Sequence, residues 1–392
     1  MSLPDFPQQL AELEAQTLLR HRRIVDSPSG DSVVVDGRKL INFCSNDYLG
    51  LANHPKLIAA AQEGAQRYGV GAGAAHLVCG HMTPHEALEQ RLAAFVGMER
   101  ALFFSTGYMA NLGVVPALVG REDAVFSDRL NHASLIDAAR LSRADVQRYR
   151  HLDLDELALR LSRSTARRKL IVTDGVFSMD GDIAPLPELL ALCEQHDAML
   201  LVDDAHGFGL QGPQGRGTAQ HFSVQQSPRL IYMGTLGKAA GVSGAFVAGQ
   251  AGMVEWLVQQ ARTYIFTTAS PPLIAHTLLT SVDLIEADEI GGARREHLAR
   301  LVTQLKNQLK FKRWKMLDSN TAIQPLIIGD NAEAIAVAHA LRERGLWVVA
   351  IRPPTVPQGT ARLRIALSAA HNEAQVTQLA TTLLELEQQF QK

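Results

Sequence analysis

Through the middle of the chain, short apolar runs alternate with longer stretches whose apolar residues recur every three or four positions, the pattern of alternating strands and helices. The runs that predict strands are ALFFS (101–105), DAVFSD (123–128), KLIVTDG (169–175), AMLLVDD (198–204), RLIYMGT (229–235) and GAFVAG (244–249). Several are almost continuously apolar, as strands buried on both faces must be, so a doubly wound, mostly parallel sheet is expected. Between them, PLPELLALCEQH (185–196) opens on a proline and an early glutamate, which suits a helix start. After TTASPPL (267–273) the texture changes to a helical region over 273–310, then AIQPLIIGD, a helix near 332–344, WVVAIRPPTVP, ARLRIALSA and a final helix. The expected organisation is an N-terminal arm or helix over 1–45, a large domain over 46–280 and a smaller C-terminal α/β domain over 281–392.

The 392 residues, 46% of them hydrophobic, are enough to bury such a core. Lys+Arg 38 against Asp+Glu 40 gives a formal charge of −2, so there is no global basic field for nucleic acid and any charge-based recognition is local. Cys44, Cys79 and Cys193 are odd in number and widely spaced, with no CxxC or Cys/His metal pattern, which fits reduced thiols in a cytoplasmic protein. The N-terminus carries acidic residues early in an amphipathic pattern without an apolar core segment, so no signal peptide is expected. No run approaches about 18 uninterrupted apolar residues, and no membrane span is expected.

In open parallel sheets, ligands sit beyond the carboxyl ends of the strands. The loops there are STGYMAN, DGVFSMDGD, DDAHGFG and GTLGKAAG. Lys238, in the last of these, is the one lysine between Lys169 and Lys306 and stands among small residues. It is either a surface lysine in a flexible loop or an amine kept uncrowded for a bulky group. The spacing Gly234, Gly237, Lys238 is too short for a P-loop. Gly107 marks either an ordinary turn or a helix start whose N–H groups receive a phosphate. Asp203, with His206 three residues on, is either a cap or a strand-tip carboxylate that keeps a heteroaromatic nitrogen protonated while the imidazole bonds an oxygen of the same ring. Metal binding by Asp203, Asp204 and His206 has no evident source of further ligands, and no metal is expected. His132 in DRLNHASL caps a helix or stacks on a flat cofactor, and Ser178 and Asp180 are singly ordinary turn residues. Taken together, a phosphate-ready helix start, a stacking ring, a strand-end acid and an isolated lysine are the parts a pyridoxal phosphate enzyme requires. Lysine forms the Schiff base, and the acid keeps the pyridine nitrogen protonated so that the ring accepts carbanion electrons.

The motifs NFCSNDYLGL, FFSTGYMAN, DRLNHASL, TDGVFSMDGDIAP, VDDAHGFG, GPQGRG, GTLGKAAGVSG, IFTTASPP and GTARLRIALSAAH resemble those of the α-oxoamine synthases. These are pyridoxal phosphate-dependent enzymes of fold type I, aspartate aminotransferase-like, with a large mostly parallel sheet domain and a smaller C-terminal α/β domain. The likeness spans nearly the whole chain, and AIRPPTVPQGTARLR (350–364) is most similar to the biotin-pathway branch. That branch condenses L-alanine with a pimeloyl thioester, carried on CoA or on an acyl carrier protein, with loss of CO2.

By that resemblance Lys238 is the Schiff-base lysine and the base for the Cα proton, and Asp203 pairs with the pyridinium nitrogen. His206 and Ser178 bond the ring oxygen region, and His132 stacks on the ring and orients the carbonyl. Gly107 and Tyr108 supply the phosphate loop, with Thr235 nearby. Thr267 or Thr268 reaches the phosphate site of the neighbouring subunit, since family members are homodimers with shared active sites. Arg352 is the clamp for the amino acid carboxylate, Asn46 and Thr355 line the substrate site, and Arg20, close to Arg22 and Arg23, contacts the acyl substrate. Ala74 and Ala75 stand where the family commonly carries Gly or Ser, which bears on acyl chain length. A transient acyl carrier protein would call for a basic surface, to which Arg20, Arg22, Arg23, Arg140 and Arg143 are the candidates. Two other functions are weighed: the same chemistry on glycine and acetyl-CoA, and a catalytically silent partner subunit. Against the second stand Lys238, Asp203 and His206 together, because an idle site has no physical need of that set.

Overall fold

The computed structural model describes residues 5–390, which divide into two compact units. The larger comprises Asn46–Ser178 and Asp182–Glu296, and the other comprises the chain up to Ser45, Met179–Gly181 and the chain from His297 onward. The larger unit is built on a seven-stranded sheet. Its strands are β1 (Arg100–Phe104), β2 (Ala124–Asp128), β3 (Asp145–Tyr149), β4 (Lys169–Asp174), β5 (Ala198–Asp203), β6 (Leu230–Thr235) and β7 (Ala245–Gly249), in the order β1-β7-β6-β5-β4-β2-β3. From β6 through β3 every neighbour runs parallel, and β7 lies antiparallel to both β1 and β6.

The parallel stretch needs helical crossovers, and its central strands are buried along nearly their whole length. Leu170, Val172, Leu201 and Ile231 pack with Val114 and Val115 of helix Gly107–Leu118 and with Leu135 and Ala138 of helix Ala133–Ser142. Each such leucine, isoleucine or valine contributes about 1.5–3 kcal/mol when fully buried. Strand β3 answers to no apolar run in the sequence. It is one of the two edge strands, and of DVQRY only Tyr149 is buried, so its residues have no reason to be hydrophobic.

The boundary expected near residue 280 falls at Glu296 instead. Helix Pro272–Glu286 belongs to the larger unit because it packs on helices Pro55–Tyr68 and Thr83–Val96. The N-terminal segment is likewise not separate: it shares the smaller unit with the C-terminal elements. There Ser32–Val35, Arg38–Asn42 and Leu346–Trp347 form one sheet, and Lys315–Met316, Ile323–Gly329, Ala361–Ala366 and Val349–Ile351 form another. Helix Phe6–Ala15, capped by the Asp5 carboxylate on the Gln8 N–H, buries none of its residues. Among the described residues no helix is long and apolar enough to cross a membrane.

Candidate active site

Strands β4, β5 and β6 end on one cavity of about 330 Å³, a size suited to a small cofactor. Asn46, Gly107, Tyr108, His132, Ser178, Asp203, His206, Thr235 and Lys238 all line it.

Asp203 closes β5 and is only 4% exposed. Its Oδ2 accepts from Asn111 Nδ2 at 2.7 Å and its Oδ1 from the Ala205 N–H at 3.1 Å. Asn111 also donates to Ser134 Oγ at 2.8 Å, so the single Ser134 proton is left for His132 Nδ1, 2.7 Å away. That nitrogen also accepts the Ser134 N–H at 3.3 Å as the helix N-cap. With Nδ1 accepting twice, the ring proton of His132 belongs on Nε2. Burial holds the His132 pKa below its ordinary value, so the ring is neutral at neutral pH. Across the sheet Asp174 stands in register with Asp203. Burial, and then the Asp203 charge, push the Asp174 carboxyl well above the usual carboxylate range. Asp204 faces away, accepting from the Thr218 N–H at 2.7 Å and Tyr232 OH at 2.8 Å, and burial pushes it up to about 7.

Lys238 Nζ lies 2.8 Å from His206 Nε2. His206 Nδ1 lies 2.7 Å from Tyr48 OH, which donates to Asn46 Oδ1 at 3.0 Å. The directions agree: the amine donates to Nε2, the Nδ1–H donates to the Tyr48 oxygen, and the phenol proton goes to Asn46. Lys238 is thereby aimed by a buried imidazole rather than left as a loop lysine.

At the other end, helix Gly107–Leu118 starts at the rim with Thr106 as N-cap. A Cβ on Gly107 would come within 2.6 Å of Thr235 Cγ2, so only glycine fits there. First-turn N–H groups beside a position without a side chain form a cradle for an anion. Tyr108 is 42% exposed, and its hydroxyl donates to Asp137. The donor set therefore suits a planar heteroaromatic ring with a phosphate tail, Asp203 at the ring nitrogen and Lys238 at an aldehyde carbon.

Other expected residues lie elsewhere. Thr267 is half-buried and Thr268 exposed, the latter bridged to Ala75, and neither lines this cavity. In the smaller unit Arg352 lines a second cavity of about 370 Å³ with Thr17, Arg23 and Arg342, and its guanidinium donates to the Thr17 carbonyl. Burial, and then the charge of Arg20, lower the Arg352 pKa, so two cations sit close together. Arg20 and Thr355 are exposed. Asn111, Tyr48 and Ser134 are functional groups that the motifs contain without singling out. Their signal was a polar residue in a run such as GYMANLGVV, where a buried amide must have a partner.

Behind the cavity, His151 bridges two loops. Its Nδ1 lies 3.0 Å from Asp128 Oδ1 and its Nε2 2.7 Å from Asp182 Oδ2. Burial alone would lower its pKa, but the hydrogen bonds to Asp128 and Asp182 outweigh it and raise the value to about 10. Because the folded value is above the unfolded 6.5, the bridge stabilises fully below pH 6.5 and its contribution is lost as pH rises through about 10. His151→Gln is expected to cost on the order of 2 kcal/mol at pH 6 and progressively less toward pH 10. Urea unfolding of both proteins across that range checks it; a deficit equal at every pH would rule out the charged bridge.

The sequence profile of the aminotransferase class I and II family matches residues 38–383. The 8-amino-7-oxononanoate synthase of Herminiimonas arsenicoxydans is 64% identical over 377 residues, 96% of this chain and 97% of that one. Among solved structures, a serine palmitoyltransferase from S. paucimobilis with a bound PLP–myriocin adduct superposes with a TM-score of 0.90 at 31% identity, covering 97% and 96% of the two chains. An 8-amino-7-oxononanoate synthase from Francisella tularensis does so with a TM-score of 0.78 at 31% identity, covering 90% and 98%. The strand order, the lysine and acid facing one cavity and these full-length likenesses agree: the chain belongs to the class I and II aminotransferase family of fold type I, within its α-oxoamine synthases.

Proposed function

We propose that this enzyme, with pyridoxal 5′-phosphate as cofactor, condenses L-alanine with a pimeloyl thioester to give 8-amino-7-oxononanoate, CO2 and the free thiol, a step of biotin biosynthesis. The observation that carries the reading is the convergence of Lys238 and Asp203 on one cavity with a glycine-initiated helix start at its rim, in a chain 64% identical to a relative of that activity. Bound there, pyridoxal phosphate supplies an aldehyde for covalent capture of an amine and a ring that withdraws electrons from Cα.

The chain's own groups do the rest. Asp203, fixed by Asn111 and the Ala205 N–H, holds a proton at the ring nitrogen. Gly107, Tyr108 and Thr235 receive the phosphate, and Ser178 and His206 bond the ring oxygen. His132, neutral with its proton on Nε2, stacks on the ring and donates to a developing oxyanion on the thioester carbonyl. Lys238 Nζ, relieved of its covalent duty, takes the Cα proton, and His206 keeps the amine aimed. Arg352 holds the substrate carboxylate, Asn46 and Thr355 line the substrate site, and Arg20 meets the acyl donor. The same reading makes the enzyme a cytoplasmic homodimer with shared active sites, Thr267 or Thr268 reaching the partner's phosphate. It makes an acyl carrier protein a transient partner, met by Arg20, Arg22, Arg23, Arg140 and Arg143.

The test is a panel of alanine, glycine and serine against acyl thioesters of increasing length, with the condensed ketone identified by mass. Alanine with the pimeloyl thioester is expected to give the highest kcat/KM. Preference for glycine with acetyl-CoA would overturn the substrate assignment, and no ketone from any pair would overturn the activity.

A further inference from the structure

Outside the cavity, residues 76–86 gather three imidazoles around one point. His76, His81 and His85 each bring a ring nitrogen to within 4.8 Å of the other two. Their ring centroids are 5.1, 5.1 and 5.7 Å apart. The backbone produces this closeness: His76 opens a single wide turn (His76–Gly80), His81 follows it, and His85 sits in the first turn of helix Thr83–Val96.

The outer nitrogens are already committed. His85 Nε2 donates to the Ser270 carbonyl at 2.8 Å, and His81 Nε2 lies 3.2 Å from Glu86 Oε2. A carbonyl or carboxylate on one ring nitrogen fixes the tautomer that offers the other nitrogen's lone pair, the arrangement found behind histidine ligands of metal ions. His85 Nδ1 meets the Met82 N–H at 3.0 Å, and the Nδ1 atoms of His76 and His81 stand 2.9 Å apart. With His81 protonated on Nε2, two lone pairs would face each other unless His76 carries its proton on Nδ1. A cation taking both lone pairs requires only that this proton move to His76 Nε2, so binding releases no proton.

We propose that His76, His81 and His85 form a binding site for a divalent transition-metal ion of the zinc class, with Glu86 and the Ser270 carbonyl orienting the rings and water completing the coordination. Three imidazole nitrogens select zinc, copper, nickel or cobalt over magnesium or calcium, which take oxygen ligands. Entry is through His81, whose side chain is 27% exposed, whereas His85 is fully buried. On binding, His85 Nδ1 exchanges the Met82 N–H for the ion. The ion would pin the turn 76–82 onto helix Thr83–Val96 and, through Ser270, onto the segment before Pro272. Ser270 Oγ donates to Ser105 Oγ at 3.0 Å, and Ser105 lines the cofactor cavity, so the site braces one wall of it without touching the reacting atoms.

The experiment uses holoenzyme stripped of metal by a chelator and then titrated with Co2+ and, separately, with Zn2+ by equilibrium dialysis. Intense visible d–d bands of low-coordinate Co2+ and stoichiometric Zn2+ uptake are expected. Glu86→Gln is expected to lower Zn2+ affinity about 10-fold, and His81→Gln to lower it further and abolish the Co2+ bands. His76 stacks on Tyr264 at 4.7 Å, so His76→Gln could unfold the turn; the more exposed His81 keeps the test decisive. A Co2+ spectrum like that of the hydrated ion, or Zn2+ affinity unchanged in His81→Gln, would overturn the site.

Discussion

Lys238→Ala is expected to lower turnover by at least about 10³-fold while the protein keeps its fold. Two functions leave with the amine: covalent attachment of the cofactor and transfer of the Cα proton, the latter alone typically contributing about 10²–10⁴-fold. The fold does not need the side chain. The loop is held by main-chain bonds, among them Gly241 N–H to Lys238 carbonyl at 2.8 Å, and its neighbours are small. His206 keeps its bond to Tyr48 and remains in place. Turnover, thermal unfolding and cofactor absorbance measured together check this. Undiminished turnover would show that another group does the work.

Asp203→Asn is expected to lower kcat on the order of 10²–10³-fold, the scale seen when one preorganised electrostatic partner is removed from a buried site. The substitution changes charge with little change of shape. With its oxygen turned toward Asn111, the new carboxamide still accepts from Asn111 Nδ2, so the bonds to Asn111 and on to Ser134 survive and only the bond from the Ala205 N–H is lost. Asp174 does not substitute, since burial disfavours its charged form. The variant therefore separates charge from architecture. Cofactor affinity and unfolding should change far less than kcat, and a variant with full kcat would remove Asp203 from the mechanism.

How much of this was legible in the sequence follows from which physical term dominated at each position. β5 reads plainly because a strand covered on both faces must be apolar, and its abrupt end in two acids marks the sheet's functional edge. β3 does not, because an edge strand anchored by Tyr149 alone carries no such constraint. The boundary at Glu296 was hidden because helix Pro272–Glu286 looks alike whichever unit it packs on. In the site, Lys238 stood out through isolation and Asp203 through position. Tyr48 and Asn111 act through partners 158 and 92 residues away, and a local pattern contains no trace of such pairings. His76, His81 and His85 carried no metal pattern in the sequence and became a cluster only when a wide turn folded them together.

The most direct test of the central claim is borohydride reduction of the holoenzyme followed by peptide mass spectrometry. The phosphopyridoxyl group is expected on the peptide containing Lys238, with loss of the visible cofactor band and of activity in equal measure. Its recovery on another lysine, or protein that takes up no cofactor at all, would contradict the assignment of the cavity and the chemistry built on it.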